Sequence, residues 1–250
     1  MSHVINKKWD TQISDFNLES NQIHIWSVRL NIDTQTQIRY WRILSEEERD
    51  RANRFKFVED KIKYIACRGV LRHLLGLYLG EEAEHVKIGY IKNGKPHHRS
   101  NLEFNASHSQ DWAVIGFTLD TVLGIDIEYV NRNIEFEEIA QRFFSPEEST
   151  IVNSAQKDLI PRYFYNCWTR KEAFIKALGD GLSFPLDRFV VSCAPEDIPQ
   201  LRSTKWDKNE VNNWCLWGFE KGNDYVGAIA IRGGQKQLSY FTWDHNQIIQ

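Results

Sequence analysis

The spacing of apolar residues predicts a chain that mixes strands and helices. Residues 22–30 and 112–119 alternate between two faces, which is typical of strands. Residues 60–79 instead carry apolar side chains at helical spacing and end before Gly80. Further strands are predicted at 86–91, 189–193, 214–220, 225–231 and 239–243, and further helices at 45–55 and 134–143. The pattern therefore indicates the α/β (α+β) class.

One more helix, predicted at 161–178, combines an apolar face with a charged edge. Pro161 and Gly179 are the residue types that favour the first turn of a helix and the position after its end. Glu172 and Lys176 are four residues apart and lie at the flank of the apolar arc around Phe174. Taken alone, such a pair is usually a surface ion pair of little energetic weight.

The strand predicted at 122–130 carries two carboxylates among apolar residues. Asp126 and Glu128 share one face, about 6.6–6.8 Å apart along the strand, and Gly124 on the same face leaves room beside them. Because strands disfavour both residue types, the pair needs a reason. An exposed sheet face is one interpretation. The other is a site for a hard cation, since two carboxylates can hold Mg²⁺ and leave positions open for a phosphate.

Composition limits the classes of function. The chain of 250 residues is 42% hydrophobic and has a net charge of −3, so it lacks the basic field typical of nucleic-acid binders. Its four cysteines form no C-x-x-C motif, which gives zinc and redox sites little support. No apolar run is long enough to span a membrane, and the N-terminus lacks the apolar core of a signal peptide. We therefore expect a cytoplasmic protein without membrane or nucleic-acid partners.

Two parts of the chain have a similar outline of strands, helices and strands again. No linker separates them, and the best boundary is the turn at Asp120-Thr121. We therefore predict an N-terminal half, residues 1–121, and a C-terminal half, residues 122–250. No clear residue-level repeat accompanies this outline, so an internal duplication is a hypothesis.

Several short motifs occur in an order that resembles a known family. They are Gly94-Lys95-Pro96, Asn105-Ala106-Ser107-His108-Ser109, Gly124-Ile125-Asp126-Ile127-Glu128, Arg142-Phe143-Phe144-Ser145 with Glu147, and Trp168-Thr169-Arg170-Lys171-Glu172-Ala173-Phe174-Ile175-Lys176-Ala177 with Gly181-Leu182 behind. Together they resemble the Sfp-type 4′-phosphopantetheinyl transferases. The pair G-x-D-x-E and W-x-x-K-E-x-x-x-K is specific at this separation, although either motif alone is weak.

The resemblance implies an activity and a fold. Members transfer the phosphopantetheine arm of coenzyme A to a serine of an apo acyl or peptidyl carrier protein and release 3′,5′-ADP. Larger members are monomers of two similar α/β halves in a pseudo-twofold arrangement, with the active site in the cleft between them. The resemblance also implies Mg²⁺ as cofactor and coenzyme A as substrate.

The resemblance further assigns roles to residues of this chain. It implies that Asp126, Glu128 and Glu172 bind the metal, that Glu172 also acts as base, and that Lys176 meets the pyrophosphate. It places other residues around the adenosine and its 3′-phosphate: Arg51, Gly94, Lys95, Pro96, Asn105, Ser107 and His108, with Lys63 and Arg68 as less certain neighbours. The chain departs from some members at Glu48, where they carry a basic residue, and at Tyr64, where they carry a small hydroxyl residue.

Two other functions remain open. A Mg²⁺-dependent phosphohydrolase acting on a nucleotide or a coenzyme A-like substrate would use the same acidic cluster with water as acceptor. A non-catalytic binding module is the other, although it would have no reason to keep three carboxylates and Lys176.

An acceptor surface is expected between Glu128 and Trp168, because this segment connects the two elements that carry the carboxylates. Its apolar and basic candidates are Phe136, Ile139, Phe143, Phe144, Arg132 and Arg142. Phe143 and Phe144 fit the core equally well. Phe136 and Ile139, one helical turn apart, are therefore predicted to be the exposed contacts.

Overall fold

The protein consists of eleven strands and six helices within the residues that the computed structural model describes, which are 9, 16–91, 93–181 and 184–246. The strands are β1 (Gln22–Arg29), β2 (Gly89–Tyr90), β3 (Pro96–His97), β4 (Leu102–Ser109), β5 (Trp112–Leu119), β6 (Leu123–Tyr129), β7 (Phe189–Val191), β8 (Leu201–Thr204), β9 (Trp214–Lys221), β10 (Tyr225–Arg232) and β11 (Gln237–Thr242). The helices are α1 (Thr34–Ile43), α2 (Glu46–Asn53), α3 (Val58–Leu79), α4 (Phe136–Phe143), α5 (Pro146–Asn153) and α6 (Ile160–Leu178). Leu182 lies outside the described residues, as do residues 1–15 apart from Trp9.

Two sheets pack against each other and are covered by helices on their outer faces. One sheet has the strand order β11-β1-β5-β4 and the other β6-β10-β9. Their inner faces share one buried cluster, in which Ile25 and Val114 meet Ile127 and Ile229. Helices α1–α3 cover the first sheet and α4–α6 cover the second, each around a separate apolar core. This arrangement confirms the α+β class.

The two parts of the chain repeat the same elements in the same order. The series β1, α1, α2, α3, β4 and β5 corresponds to β6, α4, α5, α6, β9 and β10. Within the sheets, the order β1-β5-β4 likewise corresponds to β6-β10-β9. The predicted boundary falls between β5 and β6. However, β11 from the C-terminal range pairs in parallel with β1, so the two ranges share one sheet. That each range is a domain of its own stays a prediction.

A buried glutamate stabilises the helices of the first half. Glu48 closes a capping box with Ser45 at the start of α2. Its carboxylate also accepts a hydrogen bond of 2.5 Å from Arg72 Nε and one of 2.7 Å from Arg68 Nη2, both on α3. Arg72 donates in addition to the carbonyls of Ala83 and Val86, which follow α3. One carboxylate therefore ties the two helices and the next segment together.

The second half repeats this contact at equivalent positions. Glu148 closes a capping box with Ser145 at the start of α5, and its carboxylate pairs with Lys171 Nζ of α6 at 2.7 Å. Lys171 also donates to the carbonyls of Leu186 and Phe189, which follow α6. Because both charges are fully buried, removing one partner would leave the other uncompensated. This residue-level repeat was not recognised in the sequence, because a glutamate paired with arginine in one half is paired with lysine in the other.

Helix α6 approaches strand β6 closely at Gly124. A Cβ at this position would lie 1.9 Å from the carbonyl oxygen of Ala173 and 2.4 Å from the amide nitrogen of Ala177, both in α6. The glycine therefore lets the helix backbone rest on the strand. This close packing sets the position of Glu172 and Lys176 relative to the carboxylates of β6.

Some elements differ from the prediction. Helix α1 was missed because it has no regular apolar face: Ile38 faces solvent. The helix packs against α3 through Tyr40, which is buried over Gly69. Strand β8 was also missed, and β4 was not recognised as a strand. The strand expected at 86–91 is reduced to the two residues of β2.

We predict that Gly124→Ala destabilises the protein. Overpacking against a helix backbone should cost about 3 kcal/mol, which corresponds to a fall of roughly 10 °C in melting temperature. Gly234→Ala is the matched control, since a Cβ there meets nothing within 4 Å. Equal melting temperatures for the two variants would show that α6 does not rest on Gly124.

Candidate active site

Strands β4 and β6 lie side by side at the edges of the two sheets, and side chains of β4 bridge the gap between them. Asn105 Oδ1 accepts a hydrogen bond of 3.0 Å from the backbone amide of Ile125. Two residues further along β4, Ser107 Oγ donates to Asp126 Oδ1 at 2.8 Å. Another two residues on, Ser109 Oγ donates to Glu128 Oε2 at 2.8 Å. We call this contact between the two halves the β4–β6 seam.

Lys176 of α6 reaches the same seam. Its Nζ donates to Asp126 Oδ1 at 2.6 Å and to Ser107 Oγ at 2.7 Å. Asp126 is only 2% exposed, whereas the side chain of Lys176 is 25% exposed. A buried carboxylate needs a paired charge, and Lys176 supplies it while its ammonium stays accessible to a ligand.

Three carboxylates crowd together at this seam. Burial and the neighbouring Asp126 raise the pKa of Glu172 to about 7. The same two causes, in the same order, raise the pKa of Glu128 to about 7. Carboxyl groups that are buried beside one another resist ionisation, and a bound cation would relieve that repulsion.

The arrangement fits a divalent cation. Asp126 Oδ2 is buried and has no hydrogen-bond partner, although Oδ1 has two. An orphaned buried carboxylate oxygen is costly unless a ligand satisfies it. Together with Glu128 and Glu172 it forms a set of hard oxygen donors of the kind that Mg²⁺ prefers. The fold therefore brings the three predicted ligands to one region of the seam, and metal binding by them stays a prediction.

A cavity of about 270 Å³ lies next to the seam, and exposed His108 lines it together with Lys63 and Tyr64. Arg51 is exposed on α2 with its guanidinium 5.7 Å from the centre of the Tyr64 ring. Desolvation lowers the pKa of His108, and the nearby Lys176 lowers it further. The cavity lining thus includes the cation Lys63 but also the carboxylate of Asp60, and Arg51 lies beside its Tyr64. Binding of the 3′-phosphate by these groups stays a prediction.

The turn at Gly94-Lys95-Pro96 lies at the far end of β6. Lys95 Nζ donates to the carbonyl of Leu123 at 3.0 Å and to that of Ala177 at 3.3 Å. Burial lowers the pKa of this ammonium. In this geometry Lys95 joins β6 to the last turn of α6, and a contact with coenzyme A by Lys95, Gly94 or Pro96 stays a prediction.

Two other residues predicted near the ligand, Asn105 and Arg68, make contacts within the protein, and their contact with coenzyme A stays a prediction. Asn105 Oδ1 bonds the backbone of β6, as described above. Arg68 donates to Glu48 and also to the hydroxyl of Tyr90 at 2.7 Å. Glu48 forms ion pairs with Arg68 and Arg72, which a basic residue at position 48 could not form.

The predicted acceptor surface needs correction. Phe136 is 9% exposed and packs against Phe164 in the core of the second half, so it is not an exposed contact. Ile139 is only partly buried against the same core, and Phe144 is buried in it. Phe143 is 38% exposed, and the guanidinium of Arg142 lies 5.1 Å from the centre of its ring. Phe136 was misjudged because helical spacing alone does not show which face of α4 meets α6.

Comparisons with known proteins match nearly the whole chain. Residues 122–230 match the 4′-phosphopantetheinyl transferase superfamily, and residues 33–118 match the N-terminal part of a 4′-phosphopantetheinyl transferase. The 4′-phosphopantetheinyl transferase HetI of Nostoc is 32% identical over 235 residues, which cover 92% of this chain and 96% of HetI. The chain belongs to the Sfp-type 4′-phosphopantetheinyl transferase family.

Other members of the 4′-phosphopantetheinyl transferase family share less of their length. Sfp of Bacillus subtilis is 34% identical over 61% of this chain and 68% of its own. The mouse L-aminoadipate-semialdehyde dehydrogenase-phosphopantetheinyl transferase is 30% identical over 76% of this chain and 68% of its own. These matches favour a transferase over the phosphohydrolase alternative. No helix within the described residues is long and apolar enough to cross a membrane.

We predict that Glu172→Gln stabilises the metal-free protein above neutral pH. A carboxyl whose pKa is raised from 4.5 to about 7 in the folded state destabilises the fold as pH rises through that window. In EDTA at pH 8, the variant should gain roughly 3 kcal/mol over the native protein; at pH 4 the two should be equal. Thermal melting across this pH range tests the prediction, with exposed Glu137→Gln as control. Parallel pH profiles for the native protein and Glu172→Gln would contradict it.

Proposed function

We propose that the protein is a Mg²⁺-dependent transferase that moves the phosphopantetheine arm of coenzyme A to a serine of an apo acyl or peptidyl carrier protein and releases 3′,5′-ADP. The observation that carries the proposal is the convergence of Asp126, Glu128, Glu172 and Lys176 at the β4–β6 seam, beside a cavity whose lining includes Lys63 and His108. Membership of the transferase family supports it.

The metal would be held by Asp126 and Glu128 of β6 and by Glu172 of α6. When bound, Mg²⁺ neutralises charge on the diphosphate oxygens and so assists departure of 3′,5′-ADP. The three carboxylates project from a strand and a helix, and hydrogen bonds across the seam orient Asp126 and Glu128. Asp126 Oδ1 already accepts from Ser107 and Lys176, so Oδ2 is the oxygen available to the cation.

Coenzyme A would bind between the cavity and the seam. Arg51, Lys63 and His108 can surround its 3′-phosphate, and the accessible ammonium of Lys176 can bind the diphosphate. The net charge of −3 gives no general attraction to such an anion, so these local groups must provide it.

The acceptor serine must lose its hydroxyl proton as its oxygen attacks the β-phosphorus. Glu172 is the proposed base, because a carboxylate at the seam can accept that proton. No nucleophile from this chain is required. The carrier proteins served, a monomeric state and a cytoplasmic location remain predictions.

A single assay tests the proposed reaction. The protein is incubated with Mg²⁺, coenzyme A and an apo carrier protein, and the carrier is weighed by mass spectrometry. A gain of one phosphopantetheine arm is expected. Release of hydrolysed coenzyme A without modified carrier would favour the phosphohydrolase, and binding without turnover would favour a non-catalytic module.

We predict that Asp126→Ala abolishes transfer while the protein stays folded. The variant loses a metal ligand and the counter-ion of Lys176, whose partly exposed ammonium can be hydrated instead. Mass spectrometry of the carrier reports the activity, and circular dichroism with thermal melting reports the fold. Near-native turnover in Mg²⁺ would show that Asp126 does not bind the metal.

We predict that Arg51→Ala and His108→Ala weaken binding of coenzyme A more than binding of dephospho-coenzyme A. Arg51→Ala loses a contact between two charges, which should cost about 1.5–3 kcal/mol. His108→Ala loses a hydrogen bond to the 3′-phosphate, which should cost about 0.5–1.5 kcal/mol. Calorimetric titration with both ligands measures the difference. Arg54→Ala is the control, because Arg54 is an exposed arginine at the end of α2, the helix that carries Arg51. Equal losses for both ligands would move these residues away from the 3′-phosphate.

A further inference from the structure

Two serines of β4 face two carboxylates of β6 across the seam. Ser107 and Ser109 are two residues apart, as are Asp126 and Glu128, and each hydroxyl donates to one carboxylate at 2.8 Å. Because side chains two residues apart in a strand point the same way, this pairing is set by the register of the strands. Ser107 also contacts Lys176 and so belongs to the site described above. Ser109 has no such contact, and no role has been assigned to it.

The direction of the Ser109 hydrogen bond is fixed by a second contact. The backbone amide of Tyr129 donates to Ser109 Oγ at 3.0 Å, which occupies the hydroxyl as an acceptor. The single hydroxyl hydrogen is therefore free to point at Glu128 Oε2. This leaves the other oxygen of Glu128 for a ligand, as Oδ2 is left on Asp126.

We propose that Ser109 is a positioning residue that holds Glu128 in the orientation required for metal binding. The inference rests on the proposed function, because it takes Glu128 to be a metal ligand. The hydroxyl of Ser109 is itself held by the amide of Tyr129, so its donation to Glu128 Oε2 comes from a fixed position. The donor comes from the first half and the carboxylate from the second, so both halves contribute to the metal site.

Hydrogen bonds that orient a metal ligand usually affect metal affinity by 10- to 100-fold. We therefore expect Ser109→Ala to weaken Mg²⁺ binding about tenfold. Ser109→Thr, which keeps the hydroxyl, should bind Mg²⁺ with nearly native affinity. The readout is calorimetric titration of the full chain with MgCl₂ alone, which does not depend on turnover.

Ser27→Ala is the matched control. Ser27 is a fully buried serine of β1 in the same sheet, and its hydroxyl donates to the carbonyl of Phe241 in β11. Its loss should lower stability without changing Mg²⁺ affinity. If Ser27→Ala weakened Mg²⁺ binding as much as Ser109→Ala, the effect would be general loosening of the sheet, and the proposal would fall.

A double-mutant cycle separates this proposal from the proposed function. Glu128→Gln should weaken Mg²⁺ binding, and adding Ser109→Ala to it should cause little further loss. Native Mg²⁺ affinity in folded Glu128→Gln would overturn the metal assignment and the inference with it. Weakened binding in Glu128→Gln together with native affinity in Ser109→Ala would overturn only the role of Ser109.

Discussion

The contact between Lys176 and Asp126 is the interaction on which the site depends. Asp126 is almost fully buried, and an ammonium from α6 and a hydroxyl from β4 both donate to the same oxygen of its carboxylate. The contact therefore joins three elements from both halves at one atom. It is possible only because Gly124 lets α6 rest on β6, since any side chain at this position would push the helix and its lysine away from the strand.

The repeated order of elements gives two equivalent strand edges, and the carboxylates lie at one of them. In the first sheet, β1 is covered by β11, which pairs with it along six residues. The equivalent strand of the second sheet, β6, has β10 on one side and no ladder partner on the other within the described residues. Polar side chains of β4 bond its amides instead, as Asn105 does for Ile125. Because side chains, and not a further strand, bond the backbone at this edge of β6, space remains there for a ligand. Asp126 and Glu128 lie at this edge.

Much of the site could be predicted because its residues follow local periodicity. The shared face of Asp126 and Glu128 follows from a period of two, and the adjacency of Glu172 and Lys176 follows from helical spacing. What joins these elements could not be predicted in this way. Lys95 is cationic in the sequence, yet its ammonium bonds carbonyls of β6 and α6. The helical spacing of Phe136 and Ile139 suggested an exposed face, yet Phe136 packs against Phe164 of α6. Both outcomes depend on which surfaces meet in three dimensions.

The stability of the seam and its chemistry oppose each other. Buried carboxylates whose pKa values rise to about 7 weaken the metal-free fold, and the protein keeps them in place with contacts that do not relieve the repulsion completely. Ser107 and Lys176 both donate to Oδ1 of Asp126, and Oδ2 remains without a partner. The buried ion pairs of Glu48 with Arg72 and of Glu148 with Lys171 hold the helices of the two halves in place. If every carboxylate oxygen at the seam had a partner within the protein, no oxygen would remain to bind a cation.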